Sequence, residues 1–244
     1  MPTVAPERGA SEVRPTLDSA AIIGQAFELY KRHFGHLFGL ALSVFLPVAV
    51  IVLLLSFAGV AGYAIGQIVI FVGLFLLLAG VVKAVDDLRD GRADLSVGET
   101  FSTVAPRLLP LLVAAIFVGI CVAIGLLLFI IPGLVLITYL MAVAPAIVLE
   151  GEGPFSSWGR SGSLVSGYWW PVFFVLVLAF LLVFVASFIL GLILSPLSEP
   201  IRYFISTLVS NAIIAPFSTV AWTLTYFRLR ELKGELPEAT PEAT

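Results

Sequence analysis

Six long apolar stretches, at 37–58, 60–82, 108–131, 134–149, 170–194 and 204–227, contain no Asp, Glu, Lys, Arg or His. A helix needs roughly 17–25 mainly apolar residues to cross about 30 Å of hydrocarbon, and each stretch meets or approaches that length. Composition agrees: 60% of the 244 residues are hydrophobic and 12% charged, against about 45–50% and about 25% in soluble domains. The expected fold class is all-α, a polytopic membrane helix bundle of six transmembrane helices. Connections are short. Pro132-Gly133 alone separates the third stretch from the fourth, so 108–149 predicts a tight hairpin, since a helix interior loses a hydrogen bond at Pro. Ala58 and Gly59 join the first two in the same way.

Charge sorts the loops. Placing the N-terminus, the 83–107 loop, the 150–169 loop and the C-terminus on one side collects 12 of the 13 Lys and Arg residues there. These are Arg8, Arg14, Lys31 and Arg32, then Lys83, Arg89, Arg92 and Arg107, then Arg160, and finally Arg228, Arg230 and Lys233. Arg202 is alone on the other side, and Glu199 is the single acid there. The positive-inside rule then places both termini in the cytoplasm, in the cytoplasmic (inner) cell membrane. Reporter fusions after residues 59 and 244 are expected to read external and cytoplasmic, and the reverse readings would overturn the assignment. Only 195–203 is long enough for an external loop, so a protein partner or second copy is expected to approach from the cytoplasm or within the bilayer.

Residues 1–16 are polar and Pro-containing, and the first apolar run is too long for the core of a signal peptide. A flexible tail without a cleaved targeting segment is expected there. Residues 17–234 form the membrane domain, and 235–244 have the acidic, Pro-rich composition of a disordered tail. No soluble domain is expected on either side. A net charge of -3, with no basic run interleaved with aromatics, argues against nucleic acid as a partner. Cys121 is the single cysteine and packs as a small hydrophobe.

Placing Gly24, Gly98 and Gly159 in register aligns three segments that each lead into a membrane hairpin. Their stripes are Ile23, Phe27, Tyr30, Phe34, then Val97, Phe101, Val104, Leu108, then Trp158, Gly162, Val165, Trp169, with steps of four, three and four residues that read as helix. Pro110 and Pro171 also coincide. Asp18 is placed to cap the first segment, Ser96 with Glu99 forms a capping box for the second, and Pro154 suits the first turn of the third. The pattern predicts cytoplasmic-side interfacial helices and a threefold hairpin repeat, although few identities link the copies.

Several groupings carry side chains capable of chemistry. His33 and His36, at i and i+3, supply two ligands where a metal site needs more. Asp86, Asp87, Asp90 and Asp94, mixed with Arg89 and Arg92, read either as a cation loop or as a solvated turn, and their spacing is not that of an EF-hand. Gly159-Arg160-Ser161-Gly162-Ser163 offers an arginine, hydroxyls and amides to a phosphate, which at a membrane surface is a lipid headgroup. It is neither a P-loop nor a nucleophile elbow. Tyr168, Trp169 and Trp170 fall at the depth of an aromatic belt, with Arg228 and Arg230 at the same level. The alternative is an ordinary Arg and Trp anchor at a helix entrance. Pro47, Pro145 and Pro216 are candidate helix kinks. Gln67, Asn211 and Thr138 can bond between helices, and Gly73, Gly80, Gly119 and Gly125 permit close contact.

Two passages resemble a known family. From Ala144 to Phe173 the features are an apolar span ending in Glu150-Gly151, then Arg160-Ser161, Leu164-Val165, Gly167 and the paired Trp169-Trp170. From Thr223 to Leu236 they are Tyr226-Phe227, Leu229-Arg230 and Lys233. Both are similar to the membrane domain of glycerophosphoryl diester phosphodiesterases and of related uncharacterised prokaryotic membrane proteins. "AFELYKRHFGHLFGL" shares the likeness more loosely. The resemblance implies a six-helix membrane domain, while the family's catalytic barrel has no counterpart here. No cofactor is expected. With no ionisable group inside the spans, coupled transport and catalysis lose ground. The expectation is a non-catalytic membrane module binding lipid or a membrane or cytoplasmic partner, and the alternative is a permease-like protein for an apolar or lipidic solute.

Overall fold

The computed structural model describes residues 16–89 and 95–236, apart from the side chains of Pro200 and Tyr203. Among them the chain is all helix and turn, and six helical stretches are long and apolar enough to cross a membrane. The first is α2 (Phe34–Ser56), preceded by the short α1 (Ser19–Arg32). Then come α3 (Gly59–Arg89) and α4 (Val97–Leu128). The fourth span is composite: α5 (Ile130–Tyr139), a break, then α6 (Val143–Pro145) running into a π-helical turn at Ala146–Glu150. The short α7 (Ser156–Val165) leads to α8 (Trp169–Leu194). The sixth span joins α9 (Glu199–Val209) through a second π turn, Ser210–Ile214, to α10 (Ala215–Leu232).

Local chemistry explains the starts of α1 and α4. The Asp18 carboxylate accepts from the amides of Ala20 and Ala21, and Ser96 with Glu99 closes a complete capping box on α4. Such caps occupy amides that the first helical turn leaves unpaired. Pro154 sits in the turn just ahead of α7, where Ser157 N–H already donates to the Gly153 carbonyl at 3.1 Å. The turn between the third and fourth spans falls at Phe129, not at Pro132-Gly133. Pro132 stands in the first turn of α5, where its missing N–H costs nothing.

The spans exceed the expected bounds toward one end of the bundle. At 1.5 Å per residue, the 31-residue α3 and 32-residue α4 measure roughly 46 and 48 Å, well beyond the hydrocarbon thickness. The second interfacial segment is therefore not a separate helix: it is the first three turns of α4, continuous through Pro106 and Pro110. Only α1 and α7 are freestanding, so the three copies of the threefold pattern differ in local structure. In α1 the buried residues are Ile22 and Ala26, while Phe27 of the expected stripe is exposed.

The core lies where α2, α3 and α10 meet, built on Leu37, Leu40 and Phe45, on Leu77, Val81 and Val85, and on Val220, Tyr226 and Leu229. The most apolar windows of the first, second and fourth spans are 44% buried, those of the third and fifth only 17%. The third and fifth are thus peripheral and present most of their surface to lipid. Glycine permits the tightest approaches. A Cβ on Gly80 would lie 2.9 Å from Leu40, and one on Gly125 3.1 Å from the Gly133 backbone. Gly73 meets Val48 similarly, whereas Gly119 borders open space. Thr138 and Asn211 do not bridge helices as expected. Their side chains donate to carbonyls four residues back, Leu134 and Thr207, the local alternative open to short polar side chains in an apolar medium.

Candidate functional site

The ends of α3, α5–α6 and α10 converge with α1, α7 and the start of α4 on one face, which carries most of the chain's basic residues. The π turn of the fourth span closes at Gly151, whose φ of 77° lies in the left-handed region. A side chain there would be strained, and its Cβ would also stand 2.7 Å from the Arg107 guanidinium. This turn aims Glu150 at the centre of the face.

Glu150 accepts from Arg160 Nε at 2.7 Å and Nη2 at 2.8 Å, and from the Tyr226 hydroxyl at 2.5 Å. Arg230 Nε stands 3.4 Å away. Arg160 continues to Glu235, donating from Nη1 at 2.7 Å and from Nη2 to the second oxygen. Arg230 Nε donates to that same oxygen at 3.1 Å. The Glu235 and Glu150 carboxylates hold the Arg160 guanidinium well above the usual arginine range. Hydrogen bonds from Arg160 lead in keeping the Glu235 carboxyl below the usual carboxylate range.

Beside this cluster, Glu231 accepts from Arg89 at 2.6 Å and Arg228 at 3.0 Å, and Arg89 lies 4.0 Å above the Phe227 ring. Lys233 donates to the Ser166 carbonyl at 2.9 Å, with its ammonium 5.7 Å from the Tyr168 ring. The last turns of α10 thereby tie α3, the fourth span and α7 together.

The expected headgroup residues divide. Arg160 and Arg230 come together, but on carboxylates. Ser161 is buried and donates to the Tyr139 carbonyl at 2.6 Å while accepting from Ala142 N–H at 3.1 Å. It bridges the break in the fourth span, its hydroxyl engaged by one backbone carbonyl and one backbone N–H. Ser163 turns back to the Arg160 carbonyl, and Arg228 serves Glu231. Trp169 and Trp170 meet edge-on at 4.8 Å. Trp170 is exposed at the expected belt position, while the Trp169 indole N–H is buried and finds no hydrogen-bond partner among the described residues.

At the start of the expected tail, Glu235 is held by two arginines and Leu236 packs against the core. Residues 237–244 lie outside the described residues, as do Asp90 and Asp94 of the acidic loop. Asp86 pairs with Lys83 at 2.8 Å, and Asp87 accepts from Leu95 N–H at 3.3 Å. His33 falls at the junction of α1 and α2, where burial first, then Arg32 and His36, push its pKa down. Among the described residues no group of three or more His, Cys, Asp or Glu is placed to hold a metal. On the opposite face Arg202 pairs with Glu199.

The prolines mark irregular backbone in two of three cases. Pro145 directly precedes the first π turn and Pro216 lies one residue beyond the second, after Ala215, as a missing N–H disturbs the helical ladder. Pro47 stands inside an unbroken α2. Pro145 also borders a half-open cavity of about 360 Å³ between α3, α4, the fourth span, α8 and α10. Its walls are almost wholly apolar and include Phe75, Gly119, Met141, Leu176 and Trp222. Hydropathy patterning does not show it: it opens where α5 stops at Tyr139, and Pro145, three residues beyond the turn at 140–142, is the local signal of the break.

Spans, cavity and charged face together define an all-α, multi-pass integral membrane protein. No protein-family model, no curated protein and no solved structure matches the chain.

Proposed function

We propose that this protein is a non-catalytic membrane module that binds lipid by taking an acyl chain, or a similarly apolar ligand, into the cavity beside the broken fourth span. The cavity carries this reading. Its volume of about 360 Å³ falls within the roughly 300–1,000 Å³ of small-molecule sites, and its almost wholly apolar walls offer contact to an acyl chain. The same lining gives no purchase to ions or polar solutes. By the positive-inside rule, the basic face looks into the cytoplasm from the inner membrane, where a protein partner or second copy would meet it. The likeness of the Glu150–Trp170 and Tyr226–Lys233 passages to the phosphodiesterase membrane domain is compatible with a module that works beside other components.

Gly119 provides the test. Gly119 lines the cavity, and no heavy atom lies within 4 Å of the position a Cβ would take, so Gly119→Phe is the variant that places bulk at the cavity wall. Native mass spectrometry of protein extracted from membranes is expected to show less retained lipid in this variant at unchanged thermal stability. Equal retention would remove the reading. A permease-like route for a lipidic solute has one observation in its favour, the break at 140–142, whose Leu140 and Met141 line the same cavity. Movement of a fluorescent lipid across proteoliposomes, lost in Gly119→Phe, would select it, whereas retention without movement selects the module.

A further inference from the structure

We propose that Arg160 and Arg230 form an oxyanion site for a phosphate-bearing ligand, and that Glu235 fills it as a displaceable internal stand-in. The two carboxylates on these arginines are not equivalent. Glu150 ends a span, its side chain is 18% exposed, and Arg160, Tyr226 and Arg230 all hold it. It is part of the frame. Glu235 follows the turn at Gly234, beyond the end of α10, and its side chain is 30% exposed. Its carboxylate bonds are to Arg160 and Arg230.

Charge supports the same division. Two guanidinium groups against the fixed Glu150 leave one net positive charge, which Glu235 neutralises. Three N–H donors, Arg160 Nη1 and Nη2 and Arg230 Nε, converge on its two oxygens. A guanidinium fork that grips a carboxylate in this way grips a phosphate by the same geometry. The site also has an address in the membrane. Thr223 lines the apolar cavity, and Arg230 lies seven residues further along α10, about two turns and roughly 10 Å away on the same helix face. A phosphate at Arg230 therefore suits a lipid headgroup, although a soluble phosphate offers the same oxygens. Binding at these arginines does not depend on an occupied cavity, and Gly119→Phe leaves the arginine site untouched.

The experiment uses the full chain in phosphatidylcholine nanodiscs, with and without phosphatidic acid at equal total lipid. Glu235→Gln keeps the shape of the occupant and removes its charge, and Glu235→Ala removes the occupant. Native mass spectrometry is expected to show both variants retaining phosphatidic acid more tightly than the parent, by about tenfold or more, because the parent exposes its site only in the fraction of molecules with Glu235 displaced. Adding Arg230→Gln should abolish that gain while the Glu150 and Arg160 pair still holds the fold. In a second arm, inorganic phosphate is titrated into Glu235→Gln in pure phosphatidylcholine nanodiscs. Saturable binding there, without a preference for phosphatidic acid, supports the site with a soluble ligand. Equal retention by parent and both Glu235 variants, together with no phosphate binding, overturns the proposal. So does a gain that survives Arg230→Gln.

Discussion

Arg160→Leu is expected to destabilise the protein by about 2–3 kcal/mol. The substitution strips Glu150 of its two shortest guanidinium contacts, at 2.7 and 2.8 Å, and leaves a largely buried carboxylate with Tyr226 and a more distant Arg230. Breaking a fully buried pair costs about 3–5 kcal/mol. The side chains here are 18% and 21% exposed, and Arg230 can compensate in part, so the lower figure applies. Thermal or SDS-titration unfolding in mild detergent measures it. The double variant Arg160→Leu, Glu150→Leu should recover most of the loss, since the penalty belongs to the orphaned charge more than to the missing attraction. A single-variant loss below about 0.5 kcal/mol would instead place the pair with exposed ion pairs.

Acid acts on the same cluster through Glu235. Its carboxyl is held below the usual carboxylate range, so its contribution is complete above that range and lost as pH falls through the lowered value. The stability difference between the parent and Glu235→Gln should accordingly be constant near neutrality and vanish in acid.

The second large effect is expected at the turn between α2 and α3. A Cβ on Gly62 would stand 1.9 Å from the Leu55 carbonyl oxygen and 2.8 Å from the Ala58 Cβ. The obstruction is backbone, so no rotamer change relieves it, and Gly62→Val should cost more than the roughly 1–3 kcal/mol of ordinary overpacking. The hairpin must open or the first turn of α3 must unwind. Gly66 is the control one turn further on, where a Cβ would meet Val52 at an ordinary 3.7 Å. Recovery of folded protein after detergent extraction should collapse for Gly62→Val and hold for Gly66→Ala.

Hydropathy made the six spans legible, because a run of apolar residues long enough for the bilayer leaves few other folds. Local chemistry made Asp18 and the Ser96–Glu99 box legible, since a cap and its amides lie within three residues. Pro145 and Pro216 signalled the irregular stretches, but not that they would be π turns or that α5 would stop at Tyr139: where every residue is apolar, periodicity cannot report how a helix is interrupted. The charged cluster was hidden by distance along the chain. Arg160 meets Glu150 ten residues away and Glu235 at 75, and Tyr226 meets Glu150 at 76. Arg160 read as a free base because it was the only one in its loop, and Glu235 read as tail because its neighbours are acidic and Pro-rich. One signal was available in the sequence: an acid at the end of the fourth span faces the same side as the bases ending the sixth.

That cluster also sets an order of assembly. Synthesis proceeds from the N-terminus and folding follows emergence, so Arg89, Glu150, Arg160 and Ser166 all reach the membrane surface before the residues 226–235 that bind them. Five spans can insert while their charged ends have only local partners, and the sixth then fastens α3, the fourth span and α7 in one late event. A nascent chain stalled before Tyr226 would hold its helices in the membrane yet leave that face untied, open to quality control until the last strap is drawn.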